Sequence, residues 1–198
     1  MAHMAPLDKD LNPELKDDFA LFERILGFVP NSLLTMQRKP EIVKAFGTLT
    51  RAVMAEDGEV DPGFKRILAH FASRAAGCRY CEAHSLIAAG LHGISQEKID
   101  AVWEYQSCPL YSEAERAALD FALAAGAVPN AVDQKLMERV KRHWSENQIV
   151  EMLAAVSLYG FLNRWNDSMA TDLESAPQQL GDRVLAKGGW TAGKHGAN

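Results

Sequence analysis

The sequence has few cysteines, no long apolar run and no excess of positive charge, and each shortage removes a class of function. Three cysteines in 198 residues are too sparse, and odd in number, for the disulfide framework of a small secreted domain. No apolar stretch approaches the length of about 18 residues that crosses a bilayer, and no charged-then-apolar leader opens the chain. A soluble, cytoplasmic protein without a membrane partner is expected. The formal net charge is -5 with acids and bases interspersed, so no basic stripe exists to follow a phosphate backbone, and a nucleic-acid partner is not expected. Strand-like alternation, solenoid-period repeats and low-complexity segments are missing as well.

What remains is helix. Asn12-Pro13 is a cap followed by a first-turn proline, and Leu15, Phe19, Phe22, Ile25 and Leu26 recur at helical spacing up to Gly27. Pro30 and Pro40 each open a further helix, the second with Ile42, Val43, Phe46, Leu49, Val53 and Met54 on its apolar side. Asp61-Pro62 starts another, with Ile67, Leu68, Phe71 and Ala75 on one face and Gly77 as its stop. Cys78 therefore heads the next helix, which ends near Gly90 and Gly93. Ser95 opens a short helix through Tyr105, and a proline turn carrying Cys108 follows. Ser112-Glu115 and Ser145-Gln148 are capping boxes, and Asp133 or a neighbour opens a basic helix between them. The helix after Ser145 is the longest and runs to about Thr171. The fold class expected is an all-α helical bundle. Residues 1–4 look like an expression scar, 5–175 form one helical domain, and 176–198 are an ordered arm or a frayed end.

Chemistry is concentrated in Gly77-Cys78-Arg79-Tyr80-Cys81-Glu82-Ala83-His84-Ser85. An ordinary thiol is only a few per cent ionised at pH 7, whereas helix N-termini and nearby cations bring C-x-x-C cysteines to about 7 or below. Cys78 would receive the free N–H groups of the following helix, and His84, three residues after Cys81, could accept or return its proton. Two sulfurs this close in sequence can close a disulfide after one is oxidised. Zinc is a competing reading, with Cys78, Cys81 and His84 joined by His70 or His92, but structural zinc usually has a second paired half and none is present. Buried structural cysteines are the other. Neither cofactor nor metal is called for. Glu82 reads as a solvated surface acid. Asn163 to Asp167 interrupt an apolar helix with polar groups that face either the cysteines, a neighbouring subunit or solvent.

The run Ala72 to His84, reached from the helix beginning Asp61-Pro62, resembles the signature of the carboxymuconolactone decarboxylase and alkyl hydroperoxidase D family. Ser112 to Leu119 and Phe161 to Asn166 are similar to weaker segments of the same family. The resemblance implies an all-helical, AhpD-like bundle assembling as a dimer, trimer or hexamer, and a peroxidase whose two cysteines cycle between dithiol and disulfide. Cys78, Cys81 and His84 then carry catalysis on a small hydroperoxide or disulfide, with an electron donor the sequence does not identify. Two departures stand out. The family's histidine follows the second cysteine by four positions and His84 by three, which on a helix reaches the same face. The family's relay glutamate, twelve residues before the first cysteine, is here Arg66. A guanidinium cannot accept a proton at working pH, so it would stabilise a thiolate directly or hold an anionic substrate. His70, one turn on, is the nearest alternative base, although a half-buried histidine with a backbone partner is its simpler reading. Decarboxylation of a muconolactone and a non-catalytic, redox-sensing helical module are the alternatives to peroxidase or reductase chemistry.

Overall fold

A computed structural model of the chain describes residues 2–196; Met1 of the presumed scar, and Ala197 and Asn198 of the tail, lie outside the described residues. Among the described residues there is no strand. The helices in chain order are α1 (Lys16–Leu26), α2 (Asn31–Met36), α3 (Pro40–Val53), α4 (Pro62–Ala76), α5 (Arg79–Leu91), α6 (Gln96–Asp100), α7 (Glu113–Gly126), α8 (Gln134–Lys141), α9 (Glu146–Met169) and α10 (Ser175–Leu180). Short 3₁₀ turns lead into α1, follow α6 and punctuate the tail.

Their boundaries have local causes. Asp61, Ser95, Ser112, Asp133 and Ser145 each cap a helix N-terminus through the side chain, and Ser112 and Ser145 do so as complete capping boxes. Gly77 ends α4 in the left-handed conformation, at φ 76°. A residue with a Cβ is strained there, so glycine sets the sharp turn that delivers Cys78 to the start of α5.

Helix α4 is the axis of the molecule: every residue from Gly63 to Ser73 is buried, and it packs against α5, α7 and α9. At its crossing with α7 the backbones nearly touch. A Cβ built on Gly126 would stand 2.6 Å from the Ala72 carbonyl oxygen.

Two apolar clusters result. The larger gathers Ile67, Leu68, Phe71, Tyr80, Leu86, Phe121, Met152 and Trp190 around α4, α5 and α7. The smaller is built by the N-terminal helices, with Phe19, Phe22, Leu33, Met36, Val43 and Phe46, against Ala155 and Leu158 of α9. In α3 the buried side is Val43, Phe46, Gly47 and Thr50, whereas Ile42 and Leu49, expected on that side, are exposed at 38% and 50%. A helix touching its neighbours along a narrow line buries only part of a wide apolar stripe.

The tail from 175 to 196 folds back on the bundle. Trp190 is buried, and its indole Nε1 donates to the Arg79 carbonyl at 3.3 Å. His195 is buried too, and its carbonyl accepts from Leu173 N at 2.8 Å. At the other terminus Ala2 and His3 lie against the end of α9, His3 N donating to the Met169 carbonyl at 2.9 Å. No described helix is long and apolar enough to cross a membrane.

Candidate active site

A cavity of about 70 Å³ opens at the seam between the two clusters. Phe22, Ile25, Leu26, Leu33, Phe46, Met54, Leu158 and Leu162 give it mostly apolar walls. Its polar atoms come from a few groups: Arg66 of α4, Tyr80, Cys81 and His84 of α5, Tyr159 and Asn166 of α9, Ser32 and Thr50.

The two cysteines are placed differently. Both are free thiols and buried, but Cys81 lines the cavity and Cys78 is not part of the lining. Cys78 is the N-cap of α5, and its Sγ accepts from Cys81 N at 3.4 Å. Cys81 Sγ receives the Asn166 amide at 3.5 Å. The readily ionised pair expected from a helix N-terminus is not what the resting site presents at Cys81. Burial pushes that thiol well above its ordinary range, Cys78 adds to the rise, and the Asn166 donor offsets only part of it. Cys108 stands apart in its turn, whose carbonyl accepts from Arg116.

His84 is held from three sides. Its Nε2 lies 2.5 Å from Glu174 Oε2, Tyr80 stacks on the ring at 4.1 Å, and Phe28 meets it edge-on at 5.7 Å. Glu174 Oε1 accepts from the Tyr80 hydroxyl at 2.9 Å and from Asn31 N at 2.6 Å. Burial alone would raise the Glu174 carboxyl, but the charge and hydrogen bond of His84 and the Asn31 N–H outweigh it and hold the pKa below the ordinary carboxylate range. An ionised carboxylate thus orients the imidazole at the cavity that Cys81 also lines.

Glu174 is the residue that sequence reasoning missed. It lies in the link between α9 and α10, 90 residues from His84, and its one local signal is its position just ahead of the Ser175-Ala176-Pro177 helix start.

The remaining candidates divide. Arg66 lines the cavity with Cys81 and His84, and its Nη1 donates to the Pro62 carbonyl at 2.6 Å. His70 does not reach the cavity. It is fully buried, its Nδ1 pairs with the Glu82 carbonyl at 3.0 Å, and burial lowers its pKa to about 4. Glu82 is not a surface acid: it is fully buried with one oxygen 3.0 Å from Arg79 Nη1 and the other without a partner among the described residues. The reason is that α5 is covered on this side by α4. Among the described residues no three His, Cys, Asp or Glu side chains group as a metal ion would need. In the polar stretch of α9, Asn166 faces Cys81, Asn163 is buried, and Asp167 meets Lys194 at the surface.

Residues 40–124 match the model of the carboxymuconolactone decarboxylase family. Over 91% of its length the chain superposes on 96% of the debrominase Bmp8, with a TM-score of 0.86 and 36% identity. The chain belongs to the carboxymuconolactone decarboxylase family. Bmp8 has also been crystallised as a cysteine-to-alanine variant with 2,3,4-tribromopyrrole. An uncharacterised peroxidase-related protein of Silicibacter sp. TM1040 shares the fold at 22% identity and a TM-score of 0.73, over 86% of this chain and 90% of its own. The uncharacterised protein YnjA of Escherichia coli (strain K12) is 27% identical over 110 residues, 56% of this chain. This chain spans 60% of the length of that curated relative. The family match supplies α3 to most of α7, hence Arg66, Tyr80, Cys81 and His84. The roof from Phe22 to Leu33 precedes it, and Tyr159, Asn166 and Glu174 follow it.

Proposed function

We propose that this family member is a two-cysteine reductase that removes an electrophilic atom, a halogen or a peroxide oxygen, from a small apolar molecule held against Cys81. The observation that carries the reading is that Cys81 and His84 share one largely apolar cavity while Cys78 stands at the N-cap behind it, its sulfur against the Cys81 backbone. One thiol meets substrate and the other waits.

His84, oriented by Glu174, takes the Cys81 proton as the substrate enters, which compensates for a thiol that burial keeps protonated at rest. With a hydroperoxide, the thiolate attacks the terminal oxygen. The O–O bond breaks, an S–O bond forms, and the leaving alkoxide takes the proton from His84. The Cys78 thiol then displaces water from the sulfenic acid and the disulfide closes. With an organohalide, the thiolate takes the halogen, the C–X bond breaks, and the carbon takes the proton. Cys78 displaces halide from sulfur, and its own proton leaves with the halide. In both cases two thiols become one disulfide, and an external thiol reductant must restore them.

Halogen removal is favoured by one comparison. The 36% identity to a debrominase extends over 91% of this chain, whereas the peroxidase-related likeness at 22% speaks for the fold alone. The test is to follow cumene hydroperoxide consumption and bromide release from 2,3,4-tribromopyrrole with dithiothreitol as reductant. Turnover of at least one is expected, with bromide release the faster. Cys81→Ser should abolish it, and Cys78→Ser, mixed with substrate in the absence of dithiothreitol, should leave a single stoichiometric turnover without forming an intramolecular disulfide. Turnover that survives Cys81→Ser would refute the assignment, and so would the absence of any reaction with both substrates.

A further inference from the structure

The proposed chemistry engages Cys81, Cys78, His84 and Glu174 and leaves Arg66 without a task. Yet Arg66 is 3% exposed and lines the same cavity. A guanidinium carries one fixed charge and five N–H donors. Among the described residues the side chain makes one hydrogen bond, to the Pro62 carbonyl, and it has no carboxylate partner. The neighbouring residue shows what a buried cation normally requires. Lys65, 1% exposed, is paired with Glu151 at 2.8 Å and lies near the Val53 and Ala55 carbonyls. A buried charge without a counter-ion is strongly unfavourable in an apolar setting. Glu56 and Asp61 act on Arg66 only from a distance, and burial pulls its pKa below the ordinary value. On its cavity side stands Tyr159, within electrostatic reach of both Arg66 and Cys81.

We infer that Arg66 is the anion-binding residue of this cavity, and that the molecule it takes is a small acid. The apolar body of that molecule lies against Phe22, Leu33, Phe46 and Met54, and one negatively charged oxygen or nitrogen meets the guanidinium. The class is that of phenols, pyrroles and carboxylic acids ionised near neutral pH, as opposed to neutral hydroperoxides or hydrocarbons. The inference rests on the reading of the cavity as the substrate site. It adds a specificity element there, because a buried cation rejects a neutral isostere by leaving its donors unsatisfied. Arg66 takes the position at which the family signature has its glutamate, and Glu174 supplies a carboxylate to His84 from elsewhere. The exchange therefore changes the sign of charge offered to the ligand and leaves the histidine supported.

The probe is 4-nitrophenol, titrated with the intact protein at a pH near the dye's own pKa, with neutral 4-nitroanisole as its isostere. Binding should raise the phenolate absorption band, and 4-nitroanisole should bind at least tenfold more weakly. Arg66→Met should bind the dye without the spectral shift, Arg66→Lys should keep part of it, and circular dichroism of each variant checks the fold. Cys81→Ser should retain the full shift although it cannot turn over, so failure of the proposed reaction and failure of this inference are told apart. The inference is overturned by absence of binding, by a dye that binds as the neutral phenol, or by an Arg66→Met protein with an unchanged shift. A shift that disappears in Cys81→Ser would also overturn it, since the anion would then depend on Cys81 and not on Arg66.

Discussion

Two carboxylates against α5, Glu82 fully buried and Glu174 half-buried, have opposite electrostatic situations. Glu174 is paired with His84 and accepts two further N–H or O–H donors, so its pKa is lowered. Glu82 is raised to about 7, first by burial and then against a partial offset from Arg79. Because its folded pKa lies above the ordinary carboxyl value of 4.5, neutral Glu82 supports the native state below about pH 4.5, and that support is lost as pH rises through about 7. Glu82→Gln should therefore match wild type in urea denaturation at pH 4.5 and exceed it by about 1–3 kcal/mol at pH 8. Parallel stability curves across that range would refute the buried-acid assignment. Glu174→Gln acts on activity instead. The amide cannot stabilise an imidazolium, so turnover and Cys81 alkylation should both fall on the order of 10²-fold while Asn31 and Tyr80 keep a carbonyl partner. Turnover that falls while Cys81 labelling holds its rate would place Glu174 outside proton transfer.

Helices were legible in the sequence because caps, prolines and terminal glycines are local signals, and Asp61, Gly77, Ser112 and Ser145 all act where their residue types suggest. Contacts between helices were less legible. The burial of Glu82 is decided by α4 covering α5, and the exposure of Ile42 and Leu49 by the narrow contact α3 makes, and neither leaves a mark in its own segment. Gly126 is a further case. It is the last residue of α7, and its lack of a side chain is what lets α7 approach the Ala72 backbone. Gly126→Ala should force α4 and α7 apart because the clashing atoms are backbone and cannot rotate away. A loss of about 1–3 kcal/mol in urea denaturation is expected, and a neutral or stabilising effect would mean that the helix pair has slack.

At the scale of the whole molecule, the candidate site joins pieces that sequence order keeps far apart. The C-x-x-C motif identified α5 at once, since its residues are neighbours in the chain. Glu174 could not be assigned in the same way, because what brings it to His84 is the path of residues 170–196. That path is tied down at several points. Asn31 Nδ2 donates to the Asp172 carbonyl at 2.9 Å from the roof side. His195 Nδ1 lies 2.8 Å from the Thr171 carbonyl, and Trp190 anchors the tail against α5 through the Arg79 carbonyl and the face of Gly181. The tail therefore works as a clamp on the Glu174 link, although none of its residues beyond 175 lines the cavity. Trp190→Ala would empty a large, fully buried site and should cost about 3–5 kcal/mol. Because the clamp holds Glu174, turnover should also drop under conditions where circular dichroism shows the helices intact, and in a Glu174→Gln background the same substitution should cost little further activity. Full activity in a folded Trp190→Ala protein would show that the Glu174 link holds its place by Asn31 and His84 alone.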